Sequence, residues 1–543
     1  MKKFSWQNVV GAVPALFFVL TTIVGAYRWF SPVPFWDMWD GYITFNLNAE
    51  TTGISAFLQQ ANEHRIILSK ILFWMDWTMF GGSNAFLIVV NLFLMAMLWS
   101  ALVYSAYELM RGNPRLAYHY SVLAGILCFS WLQAENITWG YQSQFFLAYL
   151  VPLLALILMA AWLKKPDREW CFALAVMLGL ASTITMANGL LAPFLLIAML
   201  ALSGRSTLRR MLALILITAA TLLLWQYDYL PKPHPVASVK QIGHFVLMFL
   251  GAPSMWIFHS EPLALIIGVA VVASGLYLAG AWVSGKSREP LFLALILFLA
   301  YIGAASVGAA MGRGFAGAGA ALAGRYETPA LLAFATIVLS FTHLYGGRQA
   351  TLGSVRTLCV TVSVMLFSWQ LSTLDAASET QRWNRMQAAL ALTVGATDKE
   401  MISTVYPEDE QWRVDRVRSV AGRAIAASKS VFGREPLKSI RNALGRPPEV
   451  LGLHACQGAL DVVAALDGDG GHFRVQGWAI DTETKRVPRV VYFVKDDVVT
   501  GAALTGTLRP DVEKAIGANA VSSGFQGYNE KAERSGVSLA CAP

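Results

Sequence analysis

"PLFLALILFLAYIGAASVGAAM", residues 290–311, runs for twenty-two positions without a single charge. As an α-helix, a run of this size covers about 30 Å, the thickness of a bilayer's hydrocarbon core. Only helices and closed barrels satisfy their backbone there, and this stretch is continuously apolar, not alternating, so it reads as a helix. "VVGAVPALFFVLTTIVGAY" (9–27) has the same texture. Composition agrees: the chain is 56% hydrophobic and 14% charged, with a mean hydropathy of +0.50. A soluble protein carries about 25% charged residues. The expected class is an all-α polytopic membrane protein. "MKK" before the first run gives it a signal-peptide look, but "YRWFSPVPFWD" after it is no small-residue cleavage site, so the run is expected to stay as a helix.

Charged gaps order the spans. "MKK", "RGNPR" (111–115), "KKPDR" (164–168), "GRSTLRR" (204–210), "GKSRE" (285–289) and "GGRQ…R" (346–356) hold most of the Lys and Arg. "AENITWGYQSQ" (134–144), "TMANG" (185–189) and "PKPHPVASVK" (231–240) are poorer in positive charge. With the N-terminus inside, about eleven spans put every basic gap on the cytoplasmic side. They start near residues 8, 85, 117, 145, 170, 188, 211, 262, 290, 326 and 356. "IILSKILFWMDWTMF" (66–80) and "QIGHFVLMFLGAPSMWIF" (241–258), short or interrupted, are expected to lie along the outer interface. The net charge of +8 then belongs to loops facing anionic lipid, and the bilayer is the expected partner, with no nucleic acid.

An odd number of spans places the chain after residue 372 outside. The expected organisation is a transmembrane body over 1–372, a helical polar segment over 373–450 and a small β-sandwich over 451–543. The last is read from short alternating strands such as "HFRVQGWAID" and "RVVYFVKDD". Cys128, Cys171 and Cys359 fall in expected spans as small apolar groups. Cys456 and Cys541 bracket the β segment and are expected to pair in an oxidising compartment, two free thiols being the alternative.

The outer gaps concentrate unusual residues. The first contains "FWDMWD" (35–40) and then "NEHR", giving Trp36, Asp37, Asp40, Glu63, His64 and Arg65. The next holds Glu135, Asn136, Trp139 and Gln142; a later one holds His234 and His244; the last holds Arg313, Arg325 and Tyr326. Charge near a span end is costly unless paired or functional. Asp37 and Asp40 are spaced to share one face of a helical turn. One carboxylate there is suited to deprotonate a hydroxyl acceptor as it attacks an activated sugar. Arg313 and Arg325 suit a leaving phosphate, since guanidinium binds it bidentately. Each residue has a plainer reading. The tryptophans fit an interfacial belt, "NEHR" a local ion-pair cluster, and Arg325 a partner for Glu327 or Glu135. The sequon in "AENITWG" is weak, and the two histidines are poorly placed as metal ligands. The chain has no phosphate-loop, dinucleotide, CxxC or HExxH motif.

Four stretches together resemble the GT-C superfamily of membrane glycosyltransferases: "WDMWD" with "NEHRI" (36–66), "QAENITWGYQSQF" (133–145), "GR…GRYETP" (312–329) and "VYPED…SKSVF" (405–432). Within it the chain is similar to bacterial enzymes, arabinofuranosyltransferase-like ones included, that decorate pilin, lipopolysaccharide or wall polymers. The resemblance implies transfer of a sugar from a polyprenyl-phosphate donor to a glycan or protein hydroxyl on the periplasmic face of the inner membrane. It puts the catalytic base on Asp37, with Asp40 next in line, and the lipid phosphate on Arg313 or Arg325 with Tyr326. Trp36, Glu63, His64, Arg65, Glu135, Asn136, Trp139 and Gln142 would contact substrate. Relatives often carry two adjacent acids, whereas Met38 and Trp39 separate this pair. Metal use varies across the superfamily; with no dense acidic cluster, a cofactor-free reaction is expected over a divalent-metal one. "GWAID", "RPDV" and "SGF" resemble a β-sandwich module appended to cell-surface glycosyltransferases. The competing readings are a transporter or flippase of a lipid-linked or anionic substrate, an O-antigen-ligase-type transferase, and a scaffold. No duplicated half is visible, which weighs against a transporter.

Overall fold

The computed structural model describes residues 6–204, 207–231, 235–347, 349–407, 410–467, 471–530 and 536–542. Lys2, Lys3, Arg205, His234, Arg348, Glu408 and Asp409, which fall in the stretches quoted above, lie outside them. The chain divides into two units: Met1–Arg28, Phe57–Leu72 and Leu87–Asp375 form one, and Trp29–Ala56, Phe73–Phe86 and Ala376–Pro543 the other.

The first unit is helical. Among the described residues, nine helices of the chain are long and apolar enough to cross a membrane; eight lie wholly in this unit, and the ninth, Ala85–Leu109, enters it at Leu87. They are Gly11–Arg28, Ala85–Leu109, Gly140–Lys164, Leu208–Gln226, Val239–Phe258, Glu261–Val283, Pro290–Ala316, Gly324–Tyr345 and Ala350–Leu374. About eleven spans were expected; Glu169–Ser182 and Ala187–Leu202 are apolar but shorter, and Pro114–Cys128 is shorter too. The segment 241–258, expected to be short or interrupted, is one helix, Val239–Phe258, with Pro253 inside it and a capping box of Ser238 and Gln241 at its start. Gly140–Lys164 is the most enclosed span. Leu16, Leu20, Val89, Phe93, Ile266, Leu276, Val360 and Val364 stand exposed on outer helices. So much apolar surface belongs in lipid, and the protein is membrane-embedded. Hydrogen bonds tie the helices: Tyr301 donates to the Ala148 carbonyl at 2.6 Å, and Gln370 donates to Thr22 at 2.9 Å while accepting from the Trp131 amide at 3.0 Å.

The second unit joins two stretches of the early chain to the tail. Its core includes Trp39, Tyr42, Phe73 and Trp77 with Val414, Val417, Val420 and Phe432. The helix Gln411–Ala426 buries those valines along one face and leaves its arginines outside. The strands are β1 (His454–Ala465), β2 (Phe473–Asp481), β3 (Val490–Lys495), β4 (Val498–Thr507), β5 (Gly524–Asn529) and β6 (Ser538–Cys541). They form a closed antiparallel barrel in the order β1-β2-β5-β4-β3-β6, not the expected sandwich. Closure follows from β6, which pairs with β1 on one side and β3 on the other. Irregular registers at Leu460/Val462, Phe493/Val494 and Thr505/Thr507 add the bend that curls a sheet. Val475, Ala479, Val491, Phe493, Ala503 and Phe525 fill the interior. Gly527 packs so tightly that a Cβ there would sit 2.1 Å from the Ala502 carbonyl oxygen. Cys456 and Cys541 are joined by a disulfide, Cα atoms 5.6 Å apart.

Candidate functional site

Polar side chains from three gaps between helices meet in a cavity of about 480 Å³ inside the first unit. Glu63 and His64 come from the segment before the helix Ile67–Met79, Asn188 from the turn at 183–191, Arg313 from the end of the helix Pro290–Arg313, and Arg325 and Tyr326 from the turn before Glu327–Tyr345. Below them the wall is apolar: Phe145, Met186, Leu190, Leu191 and Phe249 face a run of small residues, Ala304, Ala305, Gly308, Ala309 and Gly312.

His64 is fixed by its backbone and its ring. Its amide and carbonyl bond reciprocally with Ala61 at 2.9 and 2.8 Å. Nδ1 accepts from the Ala187 amide at 3.3 Å, so the ring proton resides on Nε2. Burial, opposed by Glu63 and reinforced by Arg313, pulls the imidazole down to about 4, so at neutral pH it is an uncharged donor. Asn188 adds an acceptor: its Oδ1 is buried with no hydrogen-bond partner.

Arg325 is held from behind. Glu135 lies 3.7 Å from it, Gln142 donates to that carboxylate at 3.4 Å, and the Arg325 carbonyl accepts from Asn136 at 3.0 Å. Asn136 also donates to Thr328 at 2.8 Å, and Thr328 donates to Gln133 at 2.7 Å. The carbonyls of Asn136 and Trp139 both accept from Asn91 at 3.0 Å. Glu135, Asn136, Trp139 and Gln142 therefore build the seat of Arg325 and do not line the cavity. Tyr326 is wedged against Phe249, ring centroids 4.9 Å apart. Arg65 turns away: it is buried and donates to the carbonyls of Trp225 (2.8 Å), Leu58 (2.5 Å) and Tyr227, capping the helix Leu208–Gln226.

Trp36, Asp37 and Asp40 belong to the second unit and are not among the cavity walls. The turn expected to carry both acids is helical: the Asp37 carbonyl accepts from the Gly41 amide at 2.7 Å, Trp36 at φ 48° precedes it, and a π-helix runs from Trp39 to Thr44. Trp36 donates its amide to the Val405 carbonyl at 2.8 Å, and Asp40 pairs with Arg416 at 2.7 Å on the surface. Phe35 lies under the Arg385 guanidinium, 4.2 Å from its centroid, and Glu50 pairs with Lys429 at 3.0 Å. The "FWDMWD" and "VYPED…SKSVF" stretches are thus joined within one unit. His244 pairs with Glu261 at 3.0 Å. Among the described residues no group of three or more His, Cys, Asp or Glu is placed to hold a metal ion. The sequence reading missed Asn188, which lay in plain view as the polar residue of "TMANG".

Comparison with family models, with curated proteins and with solved structures gave no match to this chain.

Proposed function

We propose that the protein is a glycosyltransferase moving a sugar from a polyprenyl-phosphate carrier to a hydroxyl acceptor. The observation that supports this reading is the single cavity in which an acid, a neutral histidine and two arginines sit above an apolar wall. Arg313 and Arg325 hold the carrier's phosphate, and the small-residue wall takes the first isoprene units. The acceptor oxygen attacks the anomeric carbon, the carbon–oxygen bond to phosphate breaks with its electron pair leaving on phosphate, and the acceptor proton passes to a carboxylate. Glu63 is that base by position. Asp37, which the resemblance favours, is the rival in the other unit. No metal is required in this scheme.

In this reading the bundle crosses the membrane eleven times, with the shorter helices Pro114–Cys128, Glu169–Ser182 and Ala187–Leu202 counted as crossings. Val239–Phe258 then lies across the outer end. Its start approaches Gly314, His244 pairs with Glu261 at the start of a span, and the Trp256 carbonyl accepts from Trp369 at the end of another (3.0 Å). Basic gaps face the cytoplasm of a bacterium, and the barrel faces the periplasm.

The test is sugar transfer from radiolabelled polyprenyl-phosphate sugars by purified wild type, Glu63→Gln and Asp37→Asn. Glu63→Gln is expected to lose about 10²-fold or more while Asp37→Asn keeps its rate. The reverse result moves the base to the first loop. A wild type that transfers from no carrier, yet moves the carrier across vesicles, makes this a flippase; the mostly apolar wall is the feature that favours that second reading.

A further inference from the structure

A second recess, of about 100 Å³, opens at the end of the bundle that carries the basic gaps. It lies where the C-terminal turns of Ala85–Leu109 and Ser143–Lys164 meet the start of Pro290–Arg313. Its walls carry the cations Arg111, Lys164, Lys165 and Arg168 against the carboxylates Glu108 and Glu289. The acids are already matched. Lys164 bridges Glu108 at 3.1 Å and Glu289 at 2.7 Å, and Arg111 pairs with Glu108 at 2.5 Å. Lys165 and Arg168, both exposed, bring two further positive charges with no acid among the recess walls to match them. Asp167 shares their turn but is not one of those walls. A nearby cation behaves differently: Arg210 is held by Glu169 at 2.7 Å and stacks 5.0 Å over Trp162.

We infer that this recess binds the phosphate of an anionic phospholipid headgroup. Depth argues for lipid over free phosphate. Tyr104, Tyr107 and Trp170, on the helix turns beside the recess, are 51%, 44% and 61% exposed. Aromatic side chains with polar tips collect at headgroup level, where basic pockets between spans take anionic headgroups. Ile157, Ala160 and Leu291 line the recess as an apolar floor that meets the glycerol and upper acyl chain. The inference is independent of the transfer reaction, because none of these residues lines the large cavity.

The test is native mass spectrometry of the full chain titrated with phosphatidylglycerol, with phosphatidylcholine as the neutral comparison and inorganic phosphate as competitor. Wild type should retain phosphatidylglycerol over phosphatidylcholine, and added salt should weaken it. Lys165→Ala/Arg168→Ala should weaken phosphatidylglycerol binding about 30-fold. Glu108→Gln removes one acid and should strengthen it, which separates charge from damage to the fold. Equal retention of the two lipids, or a double variant that binds as wild type does, overturns the inference. So does displacement by millimolar inorganic phosphate that itself binds wild type, since the ligand is then free phosphate.

Discussion

At the scale of the residue, burial decides what a titratable group does. His64 resists a proton until about pH 4, whereas an unfolded chain takes one up near 6.5. Above pH 6.5 the two states agree; as pH falls from about 6.5 toward 4, only the unfolded chain gains the proton, so stability drops across that window. His64→Gln should flatten this part of the melting-temperature profile measured in detergent, and an unchanged slope would place its origin elsewhere. Asp76 is a buried carboxyl raised by its burial and partly relieved by Tyr42, which donates to it at 2.5 Å, and by the Asn84 amide at 3.1 Å. Tyr42→Phe strips the hydroxyl donor and should cost about 1–3 kcal/mol, read as a lower melting temperature. Lys70 shows the same physics: burial, with Arg65 nearby, brings its amine down to about 8 while it donates to the Gln59 carbonyl at 2.7 Å. The sequence named Asp40 for chemistry, and the structure gives it an ion pair with Arg416 at 2.7 Å. Two acids three apart imply one helical turn, and the Asp37 carbonyl does accept from the Gly41 amide at 2.7 Å, just after Trp36 at φ 48°. Nothing local in "FWDMWD" announces that its partners lie in the tail.

At the scale of the element, composition made the spans readable and pairing stayed hidden. Each long helix carries its own evidence, a run of apolar residues. The barrel's closure depends instead on which distant strand β6 finds, and alternation of side chains is the same in a sandwich and a barrel. Two devices fix the barrel. The disulfide spans 85 residues, and removing it as Cys456→Ser/Cys541→Ser should cost about 2–4 kcal/mol by returning that loop's entropy to the unfolded chain. Asp398, buried, receives Arg474 through two nitrogens at 2.9 and 2.7 Å and the Tyr528 hydroxyl at 2.8 Å, tying strands β2 and β5 to the helix Lys399–Ser403. Asp398→Ala removes two bonds from the partly exposed Arg474, which keeps Glu400 at 2.8 Å, and leaves the buried Tyr528 hydroxyl without its acceptor, so it should cost about 1–3 kcal/mol. Limited proteolysis checks it: the variant should be cut between the helical segment and an intact barrel. Resistance equal to wild type would mean the junction is held by apolar contacts alone.

At the scale of the whole molecule, gaps of the first unit come together although their sequences lie some 250 residues apart, as Glu63 and Arg313 show. Glu63, His64, Arg313, Arg325 and Tyr326 were among the gap residues named from the sequence. The division of labour was not foreseen, because Glu135, Asn136 and Gln142 look like ligand-binding residues until their partners are known. If the proposed carrier binds here, Asn136→Ala should lower the melting temperature together with carrier affinity, whereas Arg313→Ala should lower affinity alone, in parallel melting and binding measurements. The split of the chain also has a consequence for biosynthesis. Residues 29–56 and 73–86 leave the ribosome before residue 87, but the segments they cluster with follow residue 375. Throughout translation of the bundle, Trp39, Tyr42, Phe73 and Trp77 wait without the neighbours that the tail supplies, such as Phe432 beside Trp39. A chain stopped at residue 375 would carry a complete set of long apolar helices and an unfinished first loop, the kind of exposed apolar segment that quality-control proteases recognise and remove.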